Sequence, residues 1–144
     1  MSPINILLVE DNEGDILLTK EAFEDAKILT NLLVVRDGKE AIDFLIKHGK
    51  HQDAPPTDIV LLDINLPKIN GHAVLKRIKE DDNLKHIPVI MLTTSSSQKD
   101  IDLSYSQHAN CFITKSVDIN SFLNVITTLE SYWISIVSLP TKKL

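Results

Sequence analysis

The chain has 144 residues, 43% of them hydrophobic and 24% charged, which suits one ordinary globular domain able to bury its own core. A formal net charge of −5, from 15 Lys and Arg against 20 Asp and Glu, argues against a nucleic-acid partner held by backbone charge. Residues 1–9 lack a signal-peptide pattern and no apolar run approaches the roughly 20 residues of a membrane span, while the single Cys111 permits no internal disulfide, so the expectation is a cytoplasmic protein without a membrane partner.

The first element is an apolar run, Ile4–Val9, rich in β-branched residues and read as a strand. It ends in acid, because "INILLVEDNEGD" sets Glu10 and Asp11 just beyond Val9. The stretch "DILLTKEAFEDA" then places Ile16, Leu18, Ala22, Phe23 and Ala26 near one face of an amphipathic helix. A second strand is expected over Leu32–Val35, and a second helix carries Ala41, Ile42, Leu45 and Ile46 at helical spacing. The segment "KHGKHQDAPPT" at residues 47–57 is a polar, proline-bearing loop, read as a surface insertion, and its His48 and His51 as exposed histidines without a metal.

The third strand, "IVLLDINLP", runs over Ile59–Leu62 and stops in a carboxylate, Asp63, followed by Asn65 and Pro67. Burying that carboxylate unpaired costs several kcal/mol, so Asp63 either emerges at the strand end or meets a positive partner. A third helix starts near Gly71 with Val74, Leu75 and Ile78 inward, and a fourth strand over Val89–Leu92 ends at Thr93. Ser97 and Asp100 in "SSQKD" resemble a capping box for a fourth helix. The fifth strand, Cys111–Thr114, runs into Lys115, and a fifth helix begins near Asp118. Its stripe of Ile119, Phe122, Ile126, Leu129 and Trp133, crowded by Tyr132, Ile134, Ile136 and Val137, is apolar all round, which favours a dimer or kinase contact. Apolar strands alternating with helices are normally parallel and covered on both faces, giving a five-stranded α/β sandwich. Residues 1–144 read as one domain, with a core at about 4–130, an extended last helix and a short tail over 131–144.

Ligands of open parallel sheets collect at the carboxyl ends of the strands, where the strand order reverses. With strands one and three as neighbours, Glu10, Asp11 and Asp63 converge, and such a cluster either holds protons or binds a hard divalent cation such as Mg²⁺. The plainer role of Glu10 and Asp11 is to cap the first helix; acid recurring at the end of strand three shifts the balance. Thr93 and Lys115, singly unremarked, together offer a hydroxyl and an ammonium for phosphoryl oxygens at the same rim.

The ordered set "LLVED", "LLDINLPKING", "MLTTS" and "CFITKS" resembles the receiver domain of two-component response regulators over about residues 4–130. The resemblance implies a flavodoxin-like, doubly wound five-stranded parallel sheet of order 2-1-3-4-5 with five helices. It implies that Asp63 is phosphorylated by a histidine kinase or phosphotransfer protein, the chain catalysing only its own phosphorylation and dephosphorylation. Glu10, Asp11, Asp63 and the backbone carbonyl of Asn65 are the implied Mg²⁺ ligands. Thr93 is the implied switch hydroxyl, Lys115 the phosphate-contacting lysine and Phe112 the switch aromatic, while Asn65 and Ser95 take positions that tune phosphate lifetime. Phosphorylation would alter the surface of helix four, strand five and helix five, a candidate homodimer face. Ser116 stands where many relatives carry proline, and Phe112 lacks a tyrosine hydroxyl, so switching by that ring rests on packing. "VEDNEGDILLTKEAF", the 47–57 loop and "TKS" before a helix ending "YWISIVSLP" also resemble the single-domain regulators that partner cyanobacterial-type phytochromes.

Two other classes compete. A phosphohydrolase of the haloacid dehalogenase type shares the strand-end aspartate and Mg²⁺ but wants a second carboxylate two residues on, and Asn65 cannot shuttle a proton. A docking module that is never phosphorylated would not need the acidic, threonine and lysine set together.

Overall fold

Alternate residues of each central strand enter different cores, and this partition sets the architecture. In the computed structural model, which describes residues 3–25, 29–93, 98–109 and 111–114, five parallel strands form one sheet in the order β2-β1-β3-β4-β5. They are β1 (Ile4–Val9), β2 (Thr30–Val35), β3 (Ile59–Asp63), β4 (Val89–Thr93) and β5 (Cys111–Thr114). Leu7, Val9, Val60, Leu62, Val89 and Met91 cluster with Ala41, Phe44 and Leu45 of α2 (Gly38–Ile46) and Val74, Leu75 and Ile78 of α3 (Gly71–Glu80). Ile6, Leu8, Ile59, Leu61, Ile90 and Leu92 cluster instead with Ile16, Ala22 and Phe23 of α1 (Glu13–Asp25). Helices on both faces leave no solvated side, so these strands read as continuous apolar runs without a polar alternation.

The doubly wound sheet and its order match the expectation, and so do α3 and α4 (Gln98–Ser106). The fifth helix, Ala26, Ser97 and the apolar stripe from Ile119 lie outside the described residues. Three details differ. β2 starts at Thr30, not Leu32, and pairs Thr30 with Ile4. It is an edge strand, half-exposed, with Asn31 donating from Nδ2 to Asn5 Oδ1 at 3.2 Å, so its start carries no apolar signal. On α2 the buried stripe is Gly38, Ala41, Phe44 and Leu45, whereas Ile46 is exposed. At 100° per residue Ile46 falls well round the helix from the Ala41 and Leu45 line, just before the chain turns left-handed at Lys47. On α1 the buried face includes Thr19, whose hydroxyl donates to the Asp15 carbonyl at 2.8 Å and so enters the core satisfied.

The 47–57 loop is tied to α2 rather than free. A 3-10 turn at Gly49–His51 sets His51 edge-on to Phe44, centroids 5.2 Å apart, and Lys50 pairs with Glu40 at 2.9 Å. His51 is thus half-buried, against the expectation of an exposed histidine, because Phe44 offers it an apolar ring. On α4, Leu103 and Tyr105 face solvent while Ser104 is buried. No helix among the described residues is long and apolar enough to cross a membrane.

Asp37 caps α2: its side chain accepts the Glu40 N–H at 2.8 Å, and that bond, followed by the charge of Lys68, holds its carboxyl below the ordinary value of 3.8. A carboxyl lowered in the folded state contributes stability that is present above its unfolded value and lost as pH falls through its folded one. Asn keeps the cap without titrating, so between pH 7 and pH 3 Asp37→Asn should lose less stability than the parent, by a few tenths to about 1 kcal/mol. Urea unfolding at both pH values checks this; equal losses would remove Asp37 from the acid limb.

Candidate functional site

Parallel pairing places the acids before any side chain is considered. Val9 lies opposite Leu62, so Glu10, one step on, comes level with Asp63, the last residue of β3. β1 pairs with both β2 and β3, which makes this the point where the strand order reverses. One carboxylate oxygen from each of Glu10, Asp11 and Asp63 lies within 4.8 Å of the others. Glu10 is 1% exposed and Asp63 6%, while Asp11 is open to solvent. Among the described residues no other group of three His, Cys, Asp or Glu side chains comes so close.

Local hydrogen bonds hold the carboxylates. Glu10 Oε1 accepts the Asn12 N–H at 3.2 Å, and Asp63 Oδ1 accepts the Asn65 N–H at 3.4 Å. The capping role considered for Glu10 and Asp11 belongs to Asn12, whose Oδ1 accepts the Asp15 N–H at 2.9 Å ahead of α1. That assignment leaves Glu10 and Asp11 directed to the cluster. Asn-x-x-Asp was the sequence signal for it. At the outer end of the same turn Arg36 pairs with Glu13 at 2.9 Å and holds that exposed carboxyl below its usual range.

The loop between β3 and α3 is shaped by two close approaches that only glycine allows. A Cβ on Gly71 would overlap the Asp63 carbonyl, and one on Gly38 would overlap the Ile69 carbonyl. Gly71 N–H donates to Ile64 O at 2.8 Å, and within the loop Leu66 N–H reaches Ile64 O at 3.1 Å around Asn65. Neither glycine was singled out as a site residue, although Asp-Gly and Asn-Gly at helix starts mark both.

Of the remaining sequence candidates, Thr93 ends β4 one residue beyond Leu92, which pairs with Asp63, and is itself in register with Thr114. Phe112 lies on β5 opposite Met91. Lys115, which follows Thr114 directly, and Ser95 and Ser116 lie outside the described residues. His48 approaches Asp43 at 3.6 Å.

Chemically, the oxygen donors fit a hard divalent cation. Three carboxylate oxygens at this spacing, two of them on nearly buried side chains, repel one another unless charge is added, and Mg²⁺ accepts such ligands together with carbonyls and water.

Residues 6–127 match the response regulator receiver domain family. The chain is 41% identical over 138 residues, covering 96% of it and 94% of the relative, to the response regulator Rcp1 of Synechocystis sp.. It is similar in structure to the phosphorylated cyanobacterial phytochrome response regulator RcpA, with a TM-score of 0.93 at 41% identity over 97% of this chain and 100% of that one. The Mn²⁺-bound form of Rcp1 aligns with a TM-score of 0.91 at 40% identity over 96% and 100% of the two chains.

Removing one of three mutually repelling charges should relax the metal-free fold. In EDTA, Asp63→Asn should melt a few degrees above the parent, and millimolar Mg²⁺ should raise the parent's Tm by more than the variant's. Equal Mg²⁺ shifts, read by calorimetry, would move the cation away from this cluster.

Proposed function

The chain belongs to the response regulator receiver domain family, and on that premise we propose that it is a Mg²⁺-dependent phosphoacceptor whose Asp63 takes a phosphoryl group from the phosphohistidine of a kinase or phosphotransfer protein. The observation that carries this reading is the convergence of Glu10, Asp11 and Asp63 within 4.8 Å at the carboxyl edge of the sheet.

A carboxylate oxygen of Asp63 attacks phosphorus in line with the departing imidazole nitrogen. The O–P bond forms as the N–P bond breaks, giving an aspartyl phosphate, and the released imidazole takes a proton from solvent. Glu10, Asp11, Asp63 and the Asn65 carbonyl are the residues that would hold Mg²⁺, which when bound supplies neutralising charge to the phosphoryl oxygens. The near-complete burial of Glu10 and Asp63 strengthens each of these attractions. Lys115, which follows β5 in the chain, would add an ammonium, and Asn65 and Ser95 take the positions that tune phosphate lifetime in the family.

Phosphorylation replaces one negative charge by about two beside the end of β4. Thr93, donating its hydroxyl to the new oxygens, draws that strand end inward, and Phe112 turns into the space left behind. The change is a shift between conformations of α4, β5 and the chain that follows. The outward Leu103 and Tyr105 of α4 support that surface as a contact for a second copy. The likeness to Rcp1 and RcpA supports a phytochrome-like sensor kinase as the phosphoryl donor. A dehalogenase-type hydrolase is disfavoured by Asn65, which has no proton to trade at the second position.

Incubation with acetyl phosphate and Mg²⁺ followed by intact-mass measurement tests the proposal. The expected product carries one added phosphoryl mass, absent in Asp63→Asn and in EDTA; turnover of unrelated phosphoesters would favour the hydrolase, and no adduct the docking module. For the dimer, light scattering with beryllofluoride should report a larger species than without it. A monomer in both states at tens of micromolar would remove that surface from the account.

A further inference from the structure

We propose that Lys68 is a positioning residue for the cation: through Asp37 it holds the loop between β3 and α3 in the shape that presents the Asn65 carbonyl to the acidic cluster. The inference rests on the reading of Glu10, Asp11, Asp63 and Asn65 as the Mg²⁺ site.

The loop has a shape it would not keep alone. Lys68 sits at φ 66°, in the left-handed region, at the apex of a tight turn closed by Ile69 N–H to Pro67 O at 2.8 Å. A lysine there is disfavoured by its own Cβ, and such backbones persist where the surroundings over-determine them. Two contacts do so. Gly38, the first residue of α2, receives the Ile69 carbonyl where any Cβ would collide. Beside it, Lys68 Nζ reaches Asp37 Oδ2 at 3.5 Å.

Asp37 is a firm anchor. Its Oδ1 is already committed to the Glu40 N–H, its side chain is 19% exposed, and α2 behind it is locked into the core by Ala41, Phe44 and Leu45. Ile69 itself packs against that core. At the other end, Gly71 N–H is bonded to Ile64 O and α3 starts directly on the Asp63 carbonyl. Asn65 lies between these two clamps, at the centre of the turn from Ile64 to Leu66. Loosening the Lys68 clamp therefore lets the Asn65 carbonyl wander relative to Asp63, and the cation loses a pre-set ligand.

Charge alone predicts a different pattern, which makes the role testable. Lys68 is positive, so through space its removal should tighten binding of a cation; removal of the negative Asp37 should weaken it. A positioning role makes both removals weaken it. The experiment is a Mg²⁺ titration of the metal-free, ¹⁵N-labelled full chain, followed by NMR, for the parent, Lys68→Gln, Asp37→Asn, the double variant and Lys68→Arg. Asp37→Asn keeps the helix cap and removes only the charge.

We expect Lys68→Gln and Asp37→Asn each to weaken Mg²⁺ about two- to five-fold, the range open to a partly exposed ion pair. The double variant should be no weaker than the single ones, since the pair is already broken, and Lys68→Arg should bind like the parent. The amide signals of Asn65 and Ile69 should move in both single variants before Mg²⁺ is added. Effects of opposite sign, or unchanged affinity in both, overturn the positioning role while leaving the metal site standing. A parent that does not bind Mg²⁺ overturns the site and this role with it.

Discussion

The pairing of β1 with β3 brings carboxylates together at one edge of the sheet, and the proposed chemistry depends on that register. Val9 meets Leu62, and the next residue of each strand is acidic. Neither carboxylate can retreat: Glu10 and Asp63 lie almost wholly inside, at the rim of two well-filled cores. Backbone N–H groups of Asn12 and Asn65 donate to Glu10 and Asp63. A cation bound at this edge would add opposite charge to the acidic cluster, which would couple its arrival to the stability of the sheet edge.

Much of this was legible in the sequence because two-sided burial leaves an unmistakable mark. β1, β3 and β4 appear as apolar runs, and residues that break the rule at their ends, Glu10, Asp63 and Thr93, stand out against them. The edge strand was less readable, since Thr30 and Asn31 carry the hydrogen-bonding pattern of a strand without its apolar composition. Ile46 was misjudged because the inward residue is Phe44, on nearly the opposite side of the helix from it.

Supporting residues were harder to see. Asn12, Asp37, Gly38 and Gly71 each act on neighbouring backbone, and Lys68 reaches the cluster only through Asp37. Asn12 and Asp37 satisfy helix N–H groups, while Gly38 and Gly71 matter for the atom they lack. Such functions depend on which segments pass close to one another, and only the folded chain supplies that. The ionic contact between α2 and the 47–57 loop is of the same kind: Lys50 with Glu40 turns an insertion into part of the α2 surface.

The allotment of neighbouring strand residues to opposite cores has a bearing on how such a chain can vary. Adding or deleting one residue within β3 would exchange the two cores along the rest of the strand and turn Asp63 away from its companions. The connection entering β3 at its amino end suffers no such penalty, being a polar turn far along the strand from the acids. Length drift is therefore expected to accumulate on that blunt side of the sheet, leaving the acidic edge with a strictly counted chain.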